Sequence, residues 1–257
     1  MEKIKVNYNF NNSVAQIILD DGKGNILDSV MMNELTALLE QFKFNTNLKL
    51  ITFEGAGKHY SFGASVEEHK KEKAAAMLKS FHNLFYLLID LSIPTISKVS
   101  GQCLGGGMEL AIMCNLIFAD NTAKFGQPEI ILGVFPPPAS LILPQKIGLA
   151  QAEELLVTGK TINAQQAKSY RIVNELYETR DELENGLNEF IEKQILPKSS
   201  SSLQFAVKAS RKVFNKILLE NLPQLEEMYI NQLMNTNDAN EGITSFLEKR
   251  QPEWKGF

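Results

Sequence analysis

The sequence predicts an α/β fold that ends in a helical region, and three observations support this. The 257 residues are 44% hydrophobic and 22% charged, a composition typical of a globular protein with a sizeable core. Short apolar runs alternate with amphipathic segments in the first half of the chain. The pattern then becomes nearly all helical, so we divide the chain into a core, residues 1–196, and a helical region, residues 197–257.

The first strand–helix unit lies near the N-terminus. Residues 14–19 and 48–53 are apolar runs that predict strands, and each is followed by a glycine-containing turn. Residues 28–43 predict a helix because their apolar side chains recur at helical spacing. The apolar face of this helix comprises Val30, Met31, Leu35, Leu38, Leu39 and Phe42.

A second unit repeats this order. Residues 74–91 predict a helix, and Pro94 marks its end. Five shorter segments follow this helix, and one of them contains three successive glycines, Gly105 to Gly107. Those segments are a strand at 95–99, a glycine-rich turn at 101–107, a helix at 109–115, a strand at 116–119 and an extended piece at 124–126.

After residue 141 the sequence predicts helices throughout. Asn163 is a suitable N-cap for one of them, and serines 199–202 can cap another. Residues 238–241 have the form of a capping box, which predicts a last helix over 239–250. The other helices are predicted at 150–157, 161–167 and 180–194.

Charge and cysteine content limit the classes of function. With 26 Lys and Arg against 30 Asp and Glu, the net charge of −4 offers no basic footprint for nucleic acid. The two cysteines form no disulfide framework and suggest a reducing compartment. No signal peptide is evident, and the most apolar stretch, residues 85–91, is too short to cross a membrane. We therefore expect a soluble cytoplasmic protein.

The glycine-rich segment 101–110 is the strongest candidate for chemistry. It follows a strand and opens a helix, so its backbone N–H groups can approach an oxygen that gains negative charge. Glu109 lies about one turn after Gly106, which places a carboxylate over the same spot. The segment lacks the Lys-Ser/Thr of a phosphate-binding P-loop and the spacing of a dinucleotide fingerprint. Simple helix capping is an equally good explanation of this motif alone.

Two further segments are candidates on weaker grounds. Pro128 fixes the chain just before Glu129, a second carboxylate that can form an acid/base pair with the first. Residues 60–66 form a small-residue turn whose amides can supply a second donor. Taken alone, Glu129 is better explained as an exposed side chain, and residues 60–66 as an ordinary turn. The three histidines lack metal-ligand spacing, and a surface position is favoured for His69.

Together these motifs resemble the enoyl-CoA hydratase/isomerase family, the crotonase superfamily. The matching segments fall in family order and cover most of the chain, and Trp254 follows them near the C-terminus. The segments are Phe-Gly-Ala from Phe62, Gly-Gly-Gly-Met-Glu-Leu at 105–110, Gly-Gln-Pro-Glu-Ile at 126–130, Leu-Leu-Val-Thr-Gly at 155–159 and Phe-Leu-Glu-Lys-Arg at 246–250.

The resemblance implies a spiral of repeated ββα units followed by helices that assemble trimers, often paired into hexamers. It implies an acyl-CoA thioester substrate, with no cofactor other than the CoA that the substrate carries, and no metal. The amides of Ala64 and Gly106 match the family's oxyanion hole. Glu109 and Glu129 match the two glutamates of the hydratases, which favours hydration or dehydration. Which glutamate is the acid and which the base stays open.

A narrower resemblance concerns residues 62–69, 101–107 and 133–140. These look like cyclohexa-1,5-diene-1-carbonyl-CoA hydratases, which form 6-hydroxycyclohex-1-ene-1-carbonyl-CoA in anaerobic benzoyl-CoA degradation. Ser65 stands where ordinary enoyl-CoA hydratases usually have Asp. Pro137 and Pro138 replace a glycine-rich stretch, and our hypothesis is that this stiffer loop shapes a pocket for a ring. Neutral drift of the loop is the alternative.

The remaining expectations concern CoA and rival functions. Lysines such as Lys23 are expected near the CoA phosphates, and Trp254 and Lys255 can complete the site or simply pack at the surface. A straight-chain enoyl-CoA hydratase or isomerase is the nearest rival function, and an RNA-binding relative is disfavoured by the acidic charge. The expected CoA- and substrate-binding residues are Lys23, Ile26, Phe62, Ser65, Val66, Gly105, Pro137 and Pro138.

Overall fold

A computed structural model describes residues 1–257 and contains nine strands and ten α-helices. The strands are β1 (Ile4–Asn9), β2 (Val14–Leu19), β3 (Leu50–Gly55), β4 (Thr95–Val99), β5 (Gln102–Leu104), β6 (Leu116–Asp120), β7 (Lys124–Gly126), β8 (Thr161–Asn163) and β9 (Glu175–Tyr177). The helices are α1 (Ser29–Phe42), α2 (Lys71–Leu91), α3 (Gly106–Met113), α4 (Pro137–Ile147), α5 (Leu149–Thr158), α6 (Ala164–Ser169), α7 (Arg180–Phe190), α8 (Ser200–Ser210), α9 (Lys212–Asn231) and α10 (Asn237–Leu247).

Two sheets organise the first two thirds of the chain. The larger sheet has the order β1-β2-β3-β4-β6-β9, in which β1 and β2 are antiparallel and the other neighbours are parallel. The smaller sheet has the order β5-β7-β8. Helices α1, α2 and α3 contribute to one large apolar core, and every residue of β3 is buried. This arrangement confirms the predicted α/β fold.

Helix α1 shows how local sequence sets an element. Asp28 caps its N-terminus by accepting a hydrogen bond from the Met31 N–H at 3.1 Å. Its buried face agrees with the prediction except at one place, because Val30 is 39% exposed and Met32 is buried instead. The predicted helical spacing was therefore correct, with an error of two residues in the apolar face.

Several short elements differ from the sequence-based expectations. The edge strand β1 was not predicted, because five of its six residues are at least partly exposed. Residues 102–104 pair with β7 as a strand rather than forming a turn. The region after residue 141 was expected to be all helical, yet it includes β8 and β9, which are only three residues long.

The predicted capping box at the last helix was wrong. The cap is Thr236, whose hydroxyl accepts from the Ala239 N–H at 3.2 Å. The Asp238 carboxylate instead accepts from the N–H groups of Lys255 and Gly256, each at 2.7 Å. The C-terminal segment offers two backbone N–H donors to this carboxylate, so Asp238 binds that segment and does not cap the helix. Ser199 occupies an N-cap position but makes no capping hydrogen bond.

An ion-pair network crosses the larger sheet. The Lys98 ammonium on β4 contacts the Glu54 carboxylate on β3 and the Glu184 carboxylate on α7. Lys98 and Glu54 are each only 6% exposed. Gln16 on β2 also donates to Glu54 at 2.5 Å. These charges are buried with their partners and fasten three neighbouring strands to α7.

None of the helices combines the length and apolar character that crossing a lipid bilayer requires.

Candidate active site

The turn at residues 60–66 is fastened to β5, which leads directly into α3. The Ser61 N–H donates to the Gln102 carbonyl, and the Leu104 N–H donates to the Ser61 carbonyl, both at 3.0 Å. The Ser61 hydroxyl donates to the Asn25 carbonyl at 2.7 Å and accepts from the Gly63 N–H at 3.0 Å. The turn is thus held against the start of α3 from both sides.

Glycines allow these two segments to touch. A Cβ on Gly107 would lie 2.6 Å from the Ser61 Cβ, so no side chain fits there. Gly63 and Gly105 have φ values of 105° and 51°, which L side chains rarely adopt. A Cβ on Gly106 would lie 3.1 Å from the Ala64 nitrogen. The close contact brings the two predicted oxyanion positions, Ala64 and Gly106, side by side.

The amides of Ala64 and Gly106 have no acceptor within the protein, although their neighbours are paired in turns and helix ends. Gly106 is the first residue of α3, where a helix leaves its N–H groups free. The helix dipole adds a positive partial charge at this end. Two free donors beside an apolar cavity form a suitable site for a carbonyl oxygen that gains negative charge.

The opposite end of α3 is closed by two partly buried cations. The Arg211 guanidinium donates to the carbonyls of Met113 and Cys114 at 2.7 and 2.8 Å, and the Lys146 ammonium donates to the Cys114 carbonyl at 3.1 Å. Burial lowers the pKa of Lys146 to about 8 and that of Arg211 to about 10. Positive charge near a helix C-terminus stabilises the helix through its dipole. The C-terminal end of α3 therefore has bound partners, whereas the N–H groups at its N-terminal end stay free.

Glu109 lies on α3 with 4% of its surface exposed. Its Oε1 accepts a hydrogen bond from the Ala139 N–H of α4 at 2.9 Å. Pro137 and Pro138 occupy the first turn of α4 and have no N–H, so Ala139 supplies its first free donor. The segment 137–140 was predicted as a loop, and this was wrong, because it is the first turn of the helix that orients Glu109.

Glu129 follows Pro128 in a single 3₁₀ turn after β7. Its carboxylate lies over the backbone of Gly105, where a Cβ would meet the Glu129 Oε1 at 2.8 Å. The buried Gln127 amide, with its nitrogen turned toward the carboxylate, donates to both Glu129 oxygens at 3.1 Å. In the other orientation the Gln127 amide oxygen faces Glu129 and would accept a hydrogen bond from its protonated carboxyl group. Gln127 can therefore hold Glu129 in either protonation state.

Burial changes the acid–base properties of both carboxyl groups. Desolvation raises the pKa of Glu109 to about 8, against the opposing effect of the Ala139 hydrogen bond. Desolvation also raises the pKa of Glu129 well above its usual range, and the nearby Glu109 charge raises it further. Two neighbouring, desolvated carboxyl groups disfavour double ionisation, so the pair holds at least one proton near neutral pH. That proton can serve as the acid, and the carboxyl group that ionises can serve as the base.

A cavity of about 580 Å³ joins these groups. Its walls are largely apolar, with Met77, Leu78 and Phe81 of α2 on one side. Of the predicted site residues, it includes Ile26, Phe62, Ala64, Ser65, Val66, Gly105, Gly106, Glu109, Glu129 and Pro137. Lys23 and Pro138 do not line it. Lys23 is exposed on the turn that packs over Phe62, since a Cβ on Gly24 would lie 2.9 Å from the Phe62 ring.

The cavity also has lining residues that were not predicted from sequence. His69, expected at the surface, lies in the wall and its Nδ1 is 2.8 Å from the Ser65 carbonyl. Tyr229, Phe246 and Leu247 come from the helical region 197–257. Phe246 and Leu247 lie in the predicted last helix, but no local pattern indicated that these three side chains would face the cavity. Trp254 packs against Gly133 and Gly242 rather than lining the cavity.

Comparison with known proteins agrees with this geometry. Residues 9–256 match the family described as enoyl-CoA hydratase/isomerase. A cyclohexa-1,5-dienecarbonyl-CoA hydratase of Thauera aromatica is 39% identical over 243 residues, which cover 95% of this chain and 93% of that protein. A probable enoyl-CoA hydratase of Mycobacterium leprae is 34% identical, with 90% of this chain and 89% of that protein covered.

The fold is shared with solved structures. A crystal structure of an enoyl-CoA hydratase from Mycobacterium avium subsp. paratuberculosis superimposes with a TM-score of 0.85 at 20% identity, and 98% of each chain is covered. At that identity the likeness concerns the fold. It agrees with the expected spiral architecture.

Proposed function

The chain belongs to the enoyl-CoA hydratase/isomerase family and is a hydratase-type lyase, and on that premise we propose that it hydrates cyclohexa-1,5-diene-1-carbonyl-CoA. The product of that reaction is 6-hydroxycyclohex-1-ene-1-carbonyl-CoA. The single observation that carries the proposed chemistry is the pair of carboxylates, buried Glu109 and partly buried Glu129, that line one cavity together with two free amides.

In the proposed mechanism the two amides hold the thioester oxygen. As water adds to the conjugated system, negative charge moves onto this oxygen and forms an enolate. The N–H groups of Ala64 and Gly106 stabilise that charge, and removal of one such donor typically costs about 2.7–4 kcal/mol of transition-state stabilisation. Their positions are fixed, on the turn 60–66 that is hydrogen-bonded to β5 and at the start of α3, so little reorganisation is needed during the reaction.

The carboxyl groups carry the protons. The ionised glutamate takes a proton from water as the water oxygen forms its bond to the ring carbon. The protonated glutamate gives its proton to the carbon skeleton when the enolate collapses. One water is consumed, one C–O and one C–H bond form, and the pair again holds one proton. Dehydration runs through the same groups in reverse, and the roles of Glu109 and Glu129 are interchangeable in this description.

The cyclic substrate rests on the relative from Thauera aromatica and on the local sequence that this chain shares with such hydratases. Ser65 lines the cavity where many hydratases have a carboxylate, so this position brings no charge to the acyl pocket. Pro136 and Pro137 add rigid apolar surface near Glu109. An uncharged, stiff wall suits a flat hydrocarbon ring.

CoA binding and assembly complete the proposal. We place the CoA phosphates near Lys23, because its turn packs over Phe62 at the exposed side of the cavity. Ile26 and Val66 would contact the nucleotide end. The region 197–257 is proposed to mediate a homotrimer or homohexamer, in addition to supplying one wall of the cavity. We also propose a cytoplasmic location and no cofactor beyond the CoA of the substrate.

The test is a comparison of two substrates. We expect a higher kcat/KM for hydration of cyclohexa-1,5-diene-1-carbonyl-CoA than for crotonyl-CoA, measured by loss of the enoyl chromophore and by product chromatography. Faster turnover of crotonyl-CoA would remove the cyclic assignment and leave a straight-chain hydratase. Migration of a double bond without uptake of water would make the protein an isomerase.

A further inference from the structure

Tyr229 on α9 has a buried hydroxyl without a hydrogen-bond partner. The residue is 1% exposed, and its oxygen is enclosed without a donor or acceptor within reach. A buried hydroxyl without a hydrogen-bond partner destabilises the folded protein. Most such groups in proteins are paired, so an unpaired one in a cavity wall needs an explanation.

The position of Tyr229 is fixed by its surroundings. Its ring packs edge-on against Phe135 with the ring centroids 5.4 Å apart, and both rings line the cavity. One turn earlier on α9, Glu226 bonds to the Nδ1 of buried His82 on α2 at 2.9 Å. Helix α9 is therefore tied to α2, and Tyr229 has little freedom to turn toward another partner.

Tyr229 lies in the field of both carboxylates. Burial raises the pKa of Tyr229, and the charges of Glu129 and Glu109 raise it further. The phenol is thus a neutral donor near neutral pH. The thioester oxygen already has two donors, at Ala64 and Gly106. The oxygen that remains to be recognised in this reaction is the one that water adds to the substrate.

We propose that the Tyr229 hydroxyl donates a hydrogen bond to the oxygen added across the double bond, first as water and then as the product hydroxyl. Tyr229 is thereby a specificity residue for β-hydroxyacyl-CoA over its deoxy counterpart. The inference rests on the proposed function, because it takes Glu109 and Glu129 as the groups between which water reacts. The unpaired hydroxyl in the free enzyme is then a site left open for that oxygen.

The test uses Tyr229→Phe and two saturated ligands that differ by one hydroxyl, cyclohexanecarbonyl-CoA and 2-hydroxycyclohexane-1-carbonyl-CoA. Binding is measured by calorimetry in a Glu109→Gln background, so that the ligands are not turned over. We expect Tyr229→Phe to weaken binding of the hydroxy ligand about fivefold, which corresponds to about 1 kcal/mol, and to leave the deoxy ligand unchanged. Without ligand, Tyr229→Phe should unfold at the same or a higher temperature, since an unsatisfied group is removed.

Tyr177→Phe is the matched control. Tyr177 is a partly buried tyrosine that packs near Phe118, outside the cavity, and its substitution should change neither ligand. Equal weakening of both ligands by Tyr229→Phe, or a lower unfolding temperature, would mean a structural role and overturn the inference. If the Glu109→Gln protein bearing Tyr229 binds both ligands with equal affinity, the inference also fails. If it binds neither acyl-CoA, the proposed function fails together with it.

Discussion

The carboxylate buried in the larger sheet and the pair of carboxylates at the cavity behave in opposite ways. Glu54 lies in the larger sheet and is neutralised by Lys98, with Gln16 as a further donor. Glu109 and Glu129 lie at the cavity, where they receive hydrogen bonds from Ala139 and Gln127 but face no cation. Glu54 therefore stabilises the packing of neighbouring strands. Glu109 and Glu129 have no neutralising cation, and the pair retains a proton. The presence of a partner cation separates a structural carboxylate from a proposed catalytic one.

The largest expected effect is on activity at the cavity. Glu109→Gln and Glu129→Gln should each lower kcat for hydration by about 10²–10⁴-fold, the range for loss of general acid–base catalysis. Neither should lower the unfolding temperature at pH 8, because a buried charge is removed and the amide can keep its hydrogen bond. Steady-state kinetics and thermal unfolding check this, with the exposed Glu192→Gln as the control.

The Glu54–Lys98 pair should give the opposite result, a loss of stability without a loss of kcat. Lys98→Met leaves the Glu54 carboxylate buried without its cation, and we expect the free energy of unfolding to fall by about 3 kcal/mol. The kcat of the protein that remains folded should stay close to the parent value. Lys193→Met breaks an exposed pair with Glu189 and should cause no measurable change in urea unfolding. Equal stability of the two variants would contradict the structural role of Lys98.

A smaller effect is expected where the backbone supports Glu129. An alanine Cβ at Gly105 would displace the Glu129 carboxylate, and a misplacement of about 1 Å can cost up to about 10²-fold in rate. Gly22→Ala is the control, because Gly22 also has a positive φ but has open space around it. Both variants should lose stability, and only Gly105→Ala should lose kcat. A matching loss of kcat in Gly22→Ala would point to general strain.

The last expected effect is a pH dependence of stability. The pKa of Glu109 rises from its ordinary value of 4.5 to about 8 on folding, so the folded state binds this proton more tightly than the unfolded state. The associated stabilisation is complete below about pH 4.5 and is lost as the pH rises through about 8. Glu109→Gln should therefore gain stability relative to the parent between pH 5 and 8. A constant difference across that range, measured by urea unfolding, would contradict the raised pKa.

Local chemistry explains which features could be predicted from the sequence. The glycines at 105–107 and the Pro128-Glu129 pair define their own backbone geometry, so short motifs were enough to indicate the amides and carboxylates. Asp238 misled the prediction because amides from the C-terminal segment compete for its carboxylate. Similarly, the prolines at 136–138 suggested a loop although proline is well suited to the first turn of a helix.

The unpredicted parts depend on contacts between distant segments. Tyr229 lines the cavity because α9 packs against α4 and α2. No local sequence pattern predicts that contact. Distant contacts also decide which residues of a motif reach the cavity. Lys23 and Pro138 belong to motifs close to the cavity, but neither residue lines it.

The most direct test of the central claim is a double-mutant cycle on the two carboxylates. Hydration is measured in single turnovers for the parent, Glu109→Gln, Glu129→Gln and the double variant. If the pair works as one acid/base unit sharing a proton, the double variant will be no slower than the slower single variant. Near-parental rates in either single variant, or losses that multiply in the double variant, would contradict the account.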